Sequence, residues 1–290
     1  MPPYRSFSLT VAGLALAGAL RAGEPVATDE INDLLQRYNT APTATLQLPL
    51  PDDDQLTRLK DGEIISYRNR VATTPDAPLV YQVVALATVP EDRLRLWVAT
   101  LGSVEQNASR LVEVKLRQEP AGAALWYQFV NLPWPVADRH WVIRSQARAE
   151  IAAATETWWE HGWALADGGQ SMARKRLVAG DLADLSERQF DKAVYLPANT
   201  GGWLMARLSS GHTFVAVHAT AELGGGLPKN WVARYVSKQL NRQVEKIRER
   251  SIRAESILAT SAVIFTGRGE PVTRAMLERG ASDCARLNQC

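Results

Sequence analysis

The sequence predicts an α+β fold in which one curved antiparallel β-sheet wraps around a long C-terminal helix. Three observations predict it. Short runs rich in β-branched and aromatic residues recur at regular spacing between Glu63 and Leu223. The turn Gly224-Gly225-Gly226-Leu227-Pro228 then breaks that pattern. Beyond it, apolar and basic residues each step by four, which is a helical period.

The elements follow in order. Residues 23–60 hold a short helix, Asp29 to Tyr38, and a Pro-rich extended piece, with Asp52-Asp53-Asp54 placed to cap a turn into the domain. Strands are expected at Glu63–Thr73 and Leu79–Thr88. Pro90 to Thr100 reads as a helix, because Leu94, Trp97, Val98 and Leu101 lie at helical spacing. Further strands are expected at Leu111–Gln118, Ala124–Leu132, His140–Ala149 and Glu156–Leu165. Four more follow at Met172–Val178, Phe190–Pro197, Gly202–Leu208 and Thr213–Leu223. Mostly short turns join them, so they form one antiparallel sheet.

The final helix runs from Pro228 to about Ser251, with a continuation to Ile264 left open. Val232, Val236, Leu240 and Val244 form one stripe, and Arg234, Lys238, Arg242, Lys246 and Arg250 another, offset by two residues. Two residues turn a helix by about 200°, so one face packs and the other is wet. Packing the apolar stripe on the inside of a curved sheet leaves room for a cavity.

Four regions result: an export signal at 1–22, an N-terminal segment at 23–60, the sheet-and-helix domain at 61–255, and a helical extension or tail at 256–290. The signal reading rests on Arg5, an apolar stretch from Phe7 to Leu20, and small residues that offer a cut either at Ala17-Gly18-Ala19 or just after Ala22. It implies a periplasmic or secreted protein. The whole chain carries 33 basic and 31 acidic residues, and removing Arg5 and Arg21 with the signal leaves 31 of each. A near-neutral domain argues against nucleic acid as a partner. Cys284 and Cys290 either close a short disulfide loop in an oxidising compartment or remain two free thiols on a tail.

Motifs for catalysis are absent: there is no GxSxG elbow, no HExxH and no phosphate-binding loop. No cofactor or metal is called for. His212 and His218 share a strand face but lie about 20 Å apart over six residues, too far to share a metal. His161 and the neighbouring Glu160 point to opposite faces. Asp138-Arg139 reads as a charged pair pinning a turn, and Arg139 disfavours a charged His140.

Two segments carry a resemblance. Tyr127-Gln128-Phe129-Val130-Asn131-Leu132-Pro133-Trp134-Pro135-Val136-Ala137-Asp138-Arg139 resembles a strand, a Pro-aromatic-Pro turn and an Asp-Arg pair of the START lipid-transfer family, in the helix-grip superfamily. Gly201-Gly202-Trp203-Leu204 with Gly225-Gly226-Leu227-Pro228-Lys229-Asn230-Trp231 resembles that family's strand, turn and final helix. His140 stands where the family often has a second acid, and residues beyond Ser256 pass its usual end. The resemblance implies a helix-grip fold with an interior tunnel for a lipid or other apolar small molecule; the basic stripe of the final helix is either a solvated face or a surface for transient contact with a membrane.

The nine tryptophans suit such a cavity, since ligand pockets are lined mainly by apolar and aromatic groups. The candidate lining residues are Trp126, Phe129, Trp141, Trp203, Val217, Trp231, Tyr235 and Leu240. The expected function is binding, and transfer, of an apolar ligand without catalysis. A helix-grip enzyme of cyclase or hydrolase type, with Glu160, Asp191 or His218 as its polar groups, is the alternative, followed by an interaction module of the cell envelope.

Overall fold

A computed structural model describes residues 25–71, 80–102, 111–182 and 184–279. The expected export segment, Cys284 and Cys290 lie outside the described residues.

The chain opens with α1 (Thr28–Thr40) and α2 (Asp53–Lys60). Asp52 caps α2 in a capping box: its carboxylate accepts from the Gln55 amide, and the Gln55 side chain accepts from the Asp52 amide. β1 (Ile65–Val71) and β2 (Val80–Val89) pair antiparallel. Next comes α3 (Arg93–Leu101), which starts three residues past Pro90 because Asp92 is its cap, accepting from the amides of Leu94 and Arg95. β3 (Leu111–Gln118), β4 (Ala124–Val130) and β5 (Arg139–Ala147) form a meander. A short α4 (Ala149–Thr155) leads to β6 (Trp158–Leu165).

Two expected strands are corrected here. Met172–Val178 belongs to a helix, α5 (Gly169–Val178), because Ala173 and Leu177, four residues apart, bury on one side of it. Phe190 lies in α6 (Glu187–Lys192), held by a Ser186–Gln189 capping box, and only the two-residue β7 (Val194–Tyr195) follows as strand. β8 (Ala198–Arg207) and β9 (Thr213–Glu222) complete the sheet. His212 precedes β9 and sits in the turn, where its carbonyl accepts from the Leu208 amide. The final helix, α7 (Lys229–Ser251), stops at Ser251, and α8 (Ala254–Thr260) is a separate short helix.

Among the described residues nine strands form one open sheet in the order β1-β2-β9-β8-β6-β5-β4-β3, antiparallel throughout except that β7 adds to β5 in parallel. α1 and α2 cover one end of the outer face, burying Tyr38 and Leu35 against Trp158 and Phe214. α5 and α6 cover the other end, over Tyr127, Phe129 and Val142. The inner face carries α7, α3 and α8.

α7 rests mainly on β2, with flanking contact to β1, β9 and α3. Leu240, Val244 and Ile247 are buried there, while Arg234, Lys238, Arg242 and Lys246 are exposed; Arg250, the last cation of the basic stripe, is instead half-buried and donates to the Gly102 carbonyl at 3.0 Å. α7 therefore grips one end of the sheet, leaving the inner face of β3–β6 to be covered by other parts of the chain.

Asp138 and Arg139 both pin turns, but separately. The Asp138 carboxylate accepts from the Leu132 amide at 2.9 Å. Arg139 is buried and donates to the carbonyls of Leu223 and Gly224 at 2.5 and 3.1 Å, tying β5 to the turn before α7. Gly224, Gly225 and Gly226 all have positive φ (64°, 69° and 71°), which favours glycine in that turn. A Cβ on Gly225 would also lie 3.0 Å from Arg139 Nη2.

Candidate functional site

Strand alternation decides which side chains can meet on the inner face. Trp126 and Ala124 on β4, Ser145 and Ala147 on β5, and His161 and Trp163 on β6 share that face by register. Above them a partly open cavity of about 60 Å³ is lined by Trp126, Lys115, Ser145, His161 and, on the far side, residues 261–265. That volume holds a few waters. It is well below the ~300–1,000 Å³ of pockets for drug-sized ligands.

The roof is a strap that follows α8. Ile264, Val272 and Leu277 are buried in the same core as Trp97 and Trp159. A β-bridge joins Phe265 to Pro271, and the Val272 amide donates to the Ile264 carbonyl at 2.8 Å, so residues 264–272 form a small hairpin. Trp97 Nε1 donates to the Phe265 carbonyl at 2.8 Å. Two glycines let the strap seat: a Cβ on Gly122 would lie 2.5 Å from the Phe265 ring, and one on Gly267 would lie 2.2 Å from Trp159 Cγ. α8 is anchored to α3 by Arg95, which donates to Glu255 at 2.7 and 2.9 Å.

The polar groups at the cavity are poised without being spent. His161 is half-buried, and its Nδ1 is shielded from solvent with no hydrogen-bond partner among the described residues. Burial pushes its pKa down to about 4, so the imidazole is neutral at neutral pH. Lys115 stacks over Trp126 at 4.9 Å from the ring centroid and donates to Gln118 at 3.2 Å, and burial lowers its pKa. Beside the cavity Trp141 donates to Gln128 at 2.6 Å, and Gln128 donates to Glu113, whose pKa burial raises. A neutral ring, a hydroxyl, an ammonium and an amide amid apolar walls can orient the polar end of a mostly apolar molecule.

The expected lining residues fall into four groups. Trp126 lines the cavity. Trp203, Val217 and Leu240 face inward but are packed in the core next to α7. Trp141, Trp231 and Tyr235 gather by the first turns of α7, where Trp231 and Tyr235 stack at 5.5 Å and Trp141 packs with Val232. Phe129 is on the other face, buried with Tyr127 under α6, since residues 126 and 129 of one strand cannot share a face. His161, Ser145, Lys115 and the strap were not foreseen. The strand parity that separates His161 from Glu160 was the available signal for the first.

The candidate polar groups for catalysis do not converge. Glu160 is on the outer face, accepting from Tyr38 at 3.2 Å and from Thr45 at 3.0 Å; burial raises its pKa. Asp191 is exposed and pairs with Arg174. His218 is buried with both nitrogens unpartnered among the described residues. Its ring lies over Gly202, while Trp163 lies over Gly201 on the opposite face, so the glycine pair is sandwiched between two flat rings 6.5 Å apart. His140 is disfavoured as a cation first by burial and then by Arg174, rather than by Arg139. Among the described residues no three His, Cys, Asp or Glu side chains are grouped to hold a metal, and no helix is long and apolar enough to cross a membrane.

No family model matches the sequence. No curated protein matches it either. Solved structures do. Human StAR-related lipid transfer protein 5 superposes with a TM-score of 0.50 at 10% identity, over 79% of this chain and 96% of its own. The chain has the START helix-grip fold. A STAR-related lipid transfer protein fragment from Xanthomonas axonopodis gives a TM-score of 0.46 at 15% identity, over 65% of this chain and 93% of its own. An aromatase/cyclase from a Streptomyces species gives 0.31 at 13% identity, over 61% and 91%. Within the START fold, the cavity here lies under the β3–β6 half of the sheet, and the strap, not α7, closes it.

Proposed function

We propose that the protein binds a lipid or other apolar small molecule between the inner face of β3–β6 and the strap, and carries it through an aqueous compartment. One observation supports this above the rest: a neutral, half-buried His161, its Nδ1 unpartnered among the described residues, beside a partly open cavity whose roof is a short hairpin. The cavity is the closed state, and lifting residues 261–272 enlarges it. Each methylene that then leaves water contributes about 0.8 kcal/mol. His161 and Ser145 orient the polar end, and no covalent step is required. The export segment expected at 1–22 places this carrier in the periplasm or outside the cell.

The test is organic extraction and mass spectrometry of purified protein, with titration of a fluorescent fatty acid. Ser145→Trp fills the cavity without touching the outer core. A co-purifying apolar molecule, with binding abolished by Ser145→Trp, supports the proposal. Its overthrow would be the absence of any extracted ligand together with dye binding that Ser145→Trp leaves unchanged.

A further inference from the structure

A second concavity lies outside the sheet-strap interior. It is an open groove of about 500 Å³ between β1, the outermost strand, and α7. Its size is within the range of small-molecule sites. Arg68 from β1 and Arg234, Lys238 and Arg242 from α7 all line it, and all four are exposed. None of the four has an ion pair among the described residues. The lining holds one carboxylate, Glu245.

Stability alone does not ask for this arrangement. Arg234, Lys238 and Arg242 are spaced i, i+4, i+8, and each such like-charged pair costs a helix a few tenths of a kcal/mol. The groove is also held open at a defined width. Ser66 of β1 donates to Asn241 of α7 at 2.7 Å, which fixes strand and helix together at its floor. Ser237 adds a neutral hydroxyl to the lining. Two guanidinium groups from α7, a third from β1 and one ammonium surround more positive charge than a single carboxylate would neutralise. Guanidinium forks match phosphate oxygens in pairs, and lysine serves them as a point charge.

We propose that this groove is a binding site for a multiply charged phosphate group, separate from the interior cavity. The same chemistry is presented by a phosphorylated lipid headgroup and by a soluble phosphoester, so the test has two arms. One is co-sedimentation with phosphatidylcholine vesicles, with and without phosphatidylinositol bisphosphate. The other is calorimetric titration with inositol hexakisphosphate. The variant is Arg234→Gln with Lys238→Gln, and the charge-matched control is Arg188→Gln with Lys192→Gln, on the exposed side of α6.

Saturable binding that the groove variant weakens about thirtyfold, the value expected for two near-surface cations, supports the proposal. The control should stay within twofold of the unaltered protein. Binding to phosphoinositide vesicles alone assigns a headgroup, and binding to both probes assigns the free phosphoester chemistry; either supports the site. No binding to either probe at low salt, or equal losses in variant and control, would overturn it.

Discussion

Gly267→Ala probes whether the strap is part of the core. The added Cβ would lie 2.2 Å from Trp159 Cγ and 2.4 Å from its Cβ. Ordinary carbon contacts are about 3.5–4.0 Å, so the overlap exceeds 1 Å. Trp159 cannot yield easily. Its ring meets Trp97 edge-on at 5.4 Å and carries the Arg93 guanidinium at 3.9 Å. The strap therefore has to lift. Overpacking of this kind costs about 1–3 kcal/mol. A cost of about 2 kcal/mol lowers Tm by about 4–8 °C in a chain of this size. Differential scanning fluorimetry reads the shift, and limited proteolysis reads new cleavage within 261–277. The lifted strap also opens the cavity, so fatty-acid dye binding should rise. An unchanged Tm with an unchanged digestion pattern would refute the packing argument, because it would mean that residues 264–277 contribute nothing to the inner core.

Three further expectations follow from the same contacts. His140, His161 and His218 each have a folded pKa near 4, below the 6.5 of an exposed histidine. The unfolded chain then binds more protons than the fold between pH 6.5 and 4, so this contribution to stability is complete above 6.5 and is lost on acidification towards 4. The raised carboxyls of Glu113 and Glu160 act in the opposite sense at the acid end. His218→Gln isolates the histidine part, flattening a urea-unfolding series over pH 4–6.5 by up to about 1.4 kcal/mol per pH unit; an unaltered slope would count against a neutral buried His218. Arg139→Lys keeps the charge but loses the fork that holds Leu223 and Gly224, and should cost about 2–4 kcal/mol in urea unfolding. Asp92→Ala removes the α3 cap and should cost about 1 kcal/mol by the same measurement, with no change in ligand binding.

Much of the architecture was legible because local pattern and tertiary environment agree. β3 has the bounds its Leu-Val-Glu-Val-Lys-Leu run suggests, and α7 ends at Ser251 with its basic stripe exposed as far as Lys246. The errors have physical causes. Residues 172–178 alternate weakly enough to resemble a strand, yet Ala, Arg, Lys and Leu are good helix formers, and the Ala173/Leu177 pair decides the matter by packing. Phe190 looked like a strand residue because its aromatic ring outweighed the Ser186–Gln189 capping box just before it. The site was less legible than the fold. Phe129 was grouped with Trp126 on composition, although three residues of strand put them on opposite faces. The strap could not be read at all, since Ile264 and Val272 gain their role only by meeting Trp97 and Trp159 more than a hundred residues away in the chain.

The strap has a consequence for how the molecule is made. A ribosome emits the chain from its amino end, so all nine strands are finished at Glu222 while the hairpin that roofs them is still unwritten. At about 5–20 residues per second, the interval until Leu277 appears is roughly 3–11 s. Through that window Trp97 and Trp159 have no permanent cover, and a nascent chain offers them to whatever binds exposed aromatics first. A chaperone that holds such surfaces, or an apolar guest already present, would meet the sheet before its own roof does.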